Sequence, residues 1–397
     1  MTLVKIRSIR AREILDSRAN FTLEVEVTTD SGRYSAGVPS GASRGRYEAV
    51  VLDADAAAAN VNKRIASELK GKNPANQAEI DHLLIDLDGS RDKSNLGANA
   101  ITGVSMAICR AGAASQKLPL YQYIEKFSRL PMSGKLPRPV FNMINGGVHA
   151  TNVLDFQEFM VAPQANSVKK SLQIASDIYQ KLRKKLGKNV GDEGGFAPPI
   201  HFPEEAIELI LTAAKDLGLQ KSIKIAVDAA ASQFYREGKY KTGMGVFTRE
   251  GLLNYYAELI KKYPIIFLED PFHEEDWPGF TSITKQFGKK ISIIGDDLLV
   301  TSPRRVKEAK EKDACNGLIL KVNQIGTVSE TVEAAGLAQS MGWKIIVSHR
   351  SGETNDDFIA DLAVGLGADF LKAGAPARGE RVAKYNRLLK IEEEFNY

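Results

Sequence analysis

Cysteine is nearly absent from this sequence, and long apolar runs are missing altogether. Cys109 and Cys315 are its two cysteines, far apart in 397 residues and in no metal-ligand spacing. That argues against a disulfide framework or a thiolate metal site and for a reduced protein with two small core residues. No stretch of 18 apolar residues occurs, which rules out a membrane-spanning helix. One-sided charge is missing too: the formal net charge is +4, with Lys and Arg interspersed among Asp and Glu. No nucleic-acid or membrane footprint follows from such a pattern. Lys5, Arg7, Arg10 and Arg12 open the chain without the apolar core of a signal peptide, so a cytoplasmic location is expected. Neither a phosphate-binding P-loop nor a dinucleotide fingerprint is present at the required spacing.

What is present is repetition. Lys224 to Asp228, Ile265 to Asp270, Ser292 to Asp297, Gly317 to Lys321, Lys344 to Arg350 and Ala368 to Lys372 each join a short apolar run to a charged end. The intervals between successive ends, from Asp228 through Glu269, Asp296, Lys321 and His349 to Lys372, are 41, 27, 25, 28 and 23 residues. About 25 to 30 residues is the length of one strand-helix unit of a barrel, so an α/β barrel with parallel strands and its chemistry at one mouth is expected, with an open doubly wound sheet as the alternative on spacing alone. The long interval holds Gln233 to Gly245, polar and glycine-rich, and reads as an excursion before a helix near Leu252 to Lys262. Further helices are expected at Pro303 to Lys312 and Thr327 to Met341, with Gly342 as cap.

The first third differs. Residues 3 to 10, Phe21 to Thr28 and Arg33 to Val38 alternate apolar and polar, an antiparallel meander. Pro39 to Gly45 is a loop of small residues, a connector or a lid. Helices are expected over Ala54 to Leu69, Asn76 to Leu87 and Ala98 to Ala114. Pro119, Pro131, Pro137 and Pro139 mark an interdomain connection. Two units follow: residues 1–130, a smaller α+β domain carrying the Ser40–Ser43 loop, and residues 131–397, the barrel.

Asp228, Glu269 and Asp296 would converge at the mouth if their strands are neighbours. Three like charges call for a cation, and oxygen donors without nearby His or Cys favour Mg²⁺ over Zn²⁺. Asp270 and Asp297 would orient these ligands. Lys321, Lys372, His349 and Arg350 end later strands, which suits an anionic substrate that also touches the metal. For Lys321 to act as a base its pKa must fall from ~10.4 toward ~7, about 4–5 kcal/mol, and desolvation with neighbouring cations is the expected means. Glu193 stands between glycines in Val190 to Pro198, which suits close approach to a ligand. His149 lies in Asn145 to Ala150, ahead of Asp155 to Val161.

These stretches resemble the enolase family (phosphopyruvate hydratases). The likeness runs through Ala11 to Ser17-Arg18, Pro39 to Ser43, Asn95 to Ala100, Gln157 to Met160, Gly191 to Gly195 and Glu269 to Phe272. It continues through Lys321 to Thr327, Ser348 to Thr354 and Gly374 to Arg378. The resemblance implies a modified (β/α)8 TIM-type barrel whose second strand is antiparallel, behind a smaller α+β domain. It implies reversible dehydration of 2-phosphoglycerate to phosphoenolpyruvate in glycolysis and gluconeogenesis. Lys321 would remove the C2 proton, and Glu193, with Glu158 beside it, would protonate the departing hydroxyl. Asp228, Glu269 and Asp296 would hold one Mg²⁺, and a second would bridge substrate and Ser43 as the loop closes. Arg350 and Ser351 would hold phosphate, Lys372 would neutralise carboxylate charge, and His149, Gln157 and His349 would line the pocket. Homodimers or octamers are implied. Alternatives are a relative acting on another carboxylate, or a non-catalytic binding protein with the same fold.

The sequence departs from the family pattern in places. Ala19 and Phe21 replace Gly and Pro, Arg44 replaces Thr, and about ten residues are missing after Asp55. Gln233 and Ala373 replace Glu and Thr, and the segment before Val190 is short. No proposed metal ligand, base or acid is lost.

Overall fold

A computed structural model describes residues 4–42, 44–130 and 134–395. The alternating N-terminal segment forms an antiparallel sheet of β1 (Ile6–Leu15), β2 (Phe21–Thr29) and β3 (Gly32–Gly37). Its period of two drives Leu23, Val25 and Val27 fully inside, each worth roughly 1.5–3 kcal/mol of apolar burial. Five helices follow: α1 (Ala54–Asn60), α2 (Ala66–Leu69), α3 (Gln77–Asp88), α4 (Ala98–Ser115) and α5 (Leu120–Ser128). A π-helical stretch, Val61–Ile65, joins α1 to α2, so the single helix expected there is continuous but not uniform.

Small residues let α4 lie directly on the sheet. A Cβ on Gly103 would sit 2.6 Å from Val25 Cγ2 and 2.9 Å from Val38 Cγ2. In the β1–β2 turn Ala19 has φ 60°, the left-handed region that favours glycine. Asp16 holds that turn, its Oδ1 accepting from the backbone N–H of Arg18 (2.8 Å) and Asn20 (2.9 Å). The proline-marked connection contains more order than expected. Pro119 caps α5, which buries Tyr121, Tyr123 and Ile124 and packs against the barrel helix Phe358–Gly365. The boundary expected after residue 130 abuts residues 131–133, outside the described residues.

Next come β4 (Arg138–Asn145), β5 (Glu158–Pro163) and β6 (Ile223–Asp228). A small outlying sheet of β7 (Tyr235–Arg236), β8 (Lys239–Thr242) and β9 (Gly245–Phe247) fills the long interval. The remaining strands are β10 (Ile265–Glu269), β11 (Ser292–Gly295), β12 (Gly317–Leu320), β13 (Lys344–Ser348) and β14 (Phe370–Lys372). Eight of them close a barrel in the order β4, β5, β6, β10, β11, β12, β13, β14, with β14 paired back onto β4. Helices Arg249–Lys262, Pro303–Glu311 and Val328–Ser340 lie between strands as expected, and Gly342 takes φ 70° just past the last.

One strand breaks the parallel rule. β5 runs antiparallel to both β4 and β6. The connection from Asn145 to Glu158 carries a single 3₁₀ turn, Gly147–His149, and no crossover helix, so the chain turns back at the mouth. Two helices, Val168–Leu186 and Pro203–Asp216, then separate β5 from β6. One takes the chain back to the mouth and the other away from it, so β6 starts at the far end. The loop between them, with Glu193, is thereby delivered to the same mouth as the strand ends.

Candidate active site

The same period of two that fills the barrel also aims the site. Ala226, Phe267, Ile294, Ile319 and Phe370 belong to the inward-facing apolar layer, with Val140 and Met160. Asp228, Glu269, Asp296, Lys321 and Lys372 each lie two residues further along, on the same face of the strand. Because β5 is reversed, Glu158 lies two residues before Met160 and meets Asn145 and Asp228 in register. The six apolar runs with charged ends occupy consecutive barrel positions.

Two lysines stand among the acids. Lys372 Nζ lies 2.8 Å from Glu269 Oε2, 3.1 Å from Glu158 Oε1 and 3.3 Å from Asp228 Oδ2. Lys321 pairs with Asp296 Oδ2, and the other oxygen of Asp296 accepts from Gln324 Nε2 at 2.9 Å. Gln157 Nε2 donates to Asp228 Oδ2 at 3.2 Å. Burial opposes the charged form of both lysines, yet the carboxylates outweigh it. Asp296 and Glu269 raise the pKa of Lys321, and Glu158, Glu269 and Asp228 raise that of Lys372. Arg350 and Lys372 push the Lys321 pKa down, as burial does, and the Asp296 and Glu269 charges outweigh them.

The carboxylates divide sharply. Burial and then the Asp228 charge push Glu269 up to about 8. Burial and the Glu193 charge hold Glu158 well above the usual carboxylate range. Burial would raise Glu193 as well, but His149, His349 and Lys372 overcome it and hold it well below that range. Glu193 is gripped by Asn142 Nδ2 at 2.8 Å, with His149 Nδ1 at 3.3 Å and His349 Nε2 at 3.5 Å. His349 is kept neutral by burial and by nearby Arg381. Arg381 Nη1 lies 2.6 Å from His349 Nδ1. A guanidinium only donates, so Nδ1 accepts and the ring proton sits on Nε2, facing Glu193. Two neighbouring acids whose pKa values are driven apart in this way are suited to acid/base work.

Oxygen donors fit a hard cation. Glu269 Oε1 and Glu158 Oε2 are buried without a hydrogen-bond partner. Among the described residues, Asp270, Asp296 and Asp297 bring one oxygen each within 4.8 Å of one another, as do donor atoms of His149, Glu158 and Glu193. Asp228, Glu269 and Asp296 form no group that tight: Lys372 contacts the first two and Lys321 the third. The Asp270 carboxylate accepts from the backbone N–H of Asp296 (2.9 Å) and Asp297 (2.7 Å).

On the other side of the mouth Arg350 is 4% exposed, with both its terminal nitrogens on Glu48 at 3.1 Å and one on Asn323 Oδ1 at 3.1 Å. Ser351 Oγ accepts from the backbone N–H of Ala42 at 2.6 Å, and Ser40 and Gly352 exchange backbone hydrogen bonds. The small-residue loop is thus docked on the barrel. Ser43, expected as a metal ligand, lies outside the described residues. Every other residue expected in the site is gathered at this mouth. Sequence reasoning missed Asn142, Glu48 and Arg381. Asn142 was within reach, since it stands two residues beyond Val140.

Eight strands with a ring of buried acids and lysines at one mouth define an α/β-barrel enzyme with a candidate cation site. Residues 6–124 match the family model for the enolase N-terminal domain, and residues 133–397 that for the enolase C-terminal TIM barrel domain. Enolase of Thermococcus gammatolerans is 51% identical over 412 aligned positions, covering 98% of this chain and 95% of that protein. Enolases of Mastigamoeba balamuthi and Methanocaldococcus jannaschii are 50% and 49% identical, with the same coverage. The chain belongs to the enolase family. No helix among the described residues is long and apolar enough to cross a membrane.

Proposed function

We propose that this protein is a lyase that reversibly dehydrates 2-phosphoglycerate to phosphoenolpyruvate, a step of glycolysis and gluconeogenesis. One observation carries the reading. Lys321 follows β12 and Glu158 begins β5, four places apart in a ring of eight strands, so a buried amine faces a buried acid pair across the mouth.

Lys321, neutral at the moment of reaction, takes the C2 proton of the substrate. The electron pair left on C2 is delocalised into the adjacent carboxylate. Collapse of that pair forms the C2–C3 double bond as the C3–O bond breaks, and the hydroxyl leaves as water with a proton from the Glu193–Glu158 pair. Asn142, His149 and His349 hold Glu193 in place for that transfer. Lys372 sits where it can offset carboxylate charge, and Gln157 keeps Asp228 oriented. Arg350 and Ser351 receive the phosphate. Asp228, Glu269 and Asp296 would hold a hard divalent cation such as Mg²⁺, which when bound would supply positive charge to the enolic carboxylate. A second Mg²⁺, with Ser43 among its ligands, belongs to the same proposal.

The division into units at residues 130 and 131, the cytoplasmic location and assembly as a homodimer or octamer are parts of this reading. Leu15 and Phe21, 59% and 67% exposed beside the β1–β2 turn, support contact between copies. The test is the ultraviolet absorbance of phosphoenolpyruvate formed from 2-phosphoglycerate with excess Mg²⁺ and again with chelator. Turnover that vanishes with chelator is expected; no turnover with Mg²⁺ present sinks the proposal.

A further inference from the structure

A cavity of about 680 Å³ lies on the outer surface by α5, but a smaller one of about 460 Å³ reaches the candidate site. Exposed Asp53 and Asp55 stand at its rim and buried Asn323 and Arg350 at its inner end. Three guanidinium groups line it, in different states of commitment. Arg18 is paired with Asp192 at 3.1 Å. Arg350 is paired with Glu48, as described above. Arg44 is exposed and, among the described residues, makes no hydrogen bond or ion pair.

That difference matters for an anion. The Arg350–Glu48 pair is neutral as a unit, and both side chains are buried, 4% and 6% exposed. A phosphate approaching Arg350 also meets the Glu48 carboxylate paired with it. In a partly desolvated site that repulsion is strong unless a further cation is near. The rim acids add to it.

Arg44 is held where it answers that need. On one side Ala42 donates its N–H to Ser351 Oγ, tying the loop to the phosphate side of the mouth. On the other, Gly45 is pressed against the barrel: a Cβ there would lie 2.8 Å from Val300 Cγ1 and 3.0 Å from Asp297 Oδ1. Its N–H donates to Glu48 Oε1 at 3.2 Å. Arg44 directly precedes the second anchor, and its exposed side chain makes no hydrogen bond or ion pair among the described residues. Arginine offers a planar fork that matches phosphate, which the Thr usual at this place in the family does not.

We infer that Arg44 is a further substrate-binding residue, supplying a second guanidinium to the phosphorylated end of the substrate beside Arg350 and Ser351. The inference rests on the reaction proposed above and assigns this chain its own way of balancing Glu48. An interaction made equally with bound substrate and transition state acts on KM more than on kcat.

The experiment compares wild type with Arg44→Thr and Arg44→Lys. Wild-type turnover tests the reaction; the variants test Arg44. Arg44→Thr is expected to raise KM and weaken inhibition by inorganic phosphate by about tenfold each, with a smaller effect on kcat. The salt dependence of kcat/KM should become shallower, and Arg44→Lys should recover part of the phosphate affinity. Unchanged KM, phosphate inhibition and salt dependence would overturn the inference. So would a loss of kcat or thermal stability with phosphate inhibition intact. If wild type shows no turnover, titration calorimetry of inorganic phosphate against wild type and Arg44→Thr decides the matter separately; equal affinities overturn it.

Discussion

Two layers of the same barrel lie one pleat apart and follow opposite rules. The lower layer, Ala226, Phe267, Ile294, Ile319 and Phe370, is apolar and almost wholly buried. The upper one, Asp228, Glu269, Asp296, Lys321 and Lys372, is charged and slightly less deep, with Lys321 and Asp296 the most exposed. Burial stabilises the lower layer and strains the upper, which persists because opposite charges meet in pairs. The lower layer makes the strands hold still; the upper is poised to exchange those pairs for a cation and an anionic substrate.

The comparison breaks most visibly at Lys321. Lys321→Ala should lower kcat by about 10³-fold or more while leaving the barrel folded, the Asp296 carboxylate keeping Gln324 as a partner. Turnover and circular dichroism melts check both halves. Phe267→Ala, one pleat below Glu269, should do the reverse. About 3–5 kcal/mol of stability is lost to the cavity, read by denaturant unfolding, while chelator-sensitive turnover survives at low temperature.

The smallest expected effect sharpens the contrast. Glu269 has a folded pKa of about 8, raised by burial and Asp228 from an ordinary value of 4.5. Its unfolded form ionises first as pH rises. In metal-free protein its contribution is therefore fully present below the unfolded value and drains away between pH 4.5 and about 8, by at most about 1.4 kcal/mol per pH unit. Urea titrations with chelator should show wild type losing stability across that window relative to Glu269→Gln. Parallel curves would remove Glu269 from the strained set.

Legibility in the sequence follows the same division. Strands buried on both faces read as unbroken apolar runs, so their charged ends stood out one after another. The barrel and seven of its mouth residues, Asp228, Glu269, Asp296, Lys321, His349, Arg350 and Lys372, were readable for that reason. The reversed β5 was not, because direction leaves no mark in a period of two; the family resemblance supplied it. Glu158 begins a strand, and Glu193 sits in a loop between helices, so neither follows the strand-end pattern. Arg381 and Glu48 reach the site from a helix and a connector, where a charged residue looks like any solvated one. The pairing of Lys321 with Asp296 was not legible either, because it depends on which side chains face each other across strands. The helix α5 was hidden by prolines that bracket rather than interrupt it.

Closure of the barrel carries a consequence for how the protein comes into being. β14 pairs with β4 across more than two hundred residues of chain, and Lys372 at its end is the cation that meets Glu158, Asp228 and Glu269. During synthesis those three acids exist long before their counter-charge does. Until the last strand emerges the barrel lacks both the β14–β4 seam and the Lys372 ammonium. Long-range pairing of this kind is slow. Here the final strand supplies the seam and the neutralising charge in one event, so structural completion and chemical competence arrive together.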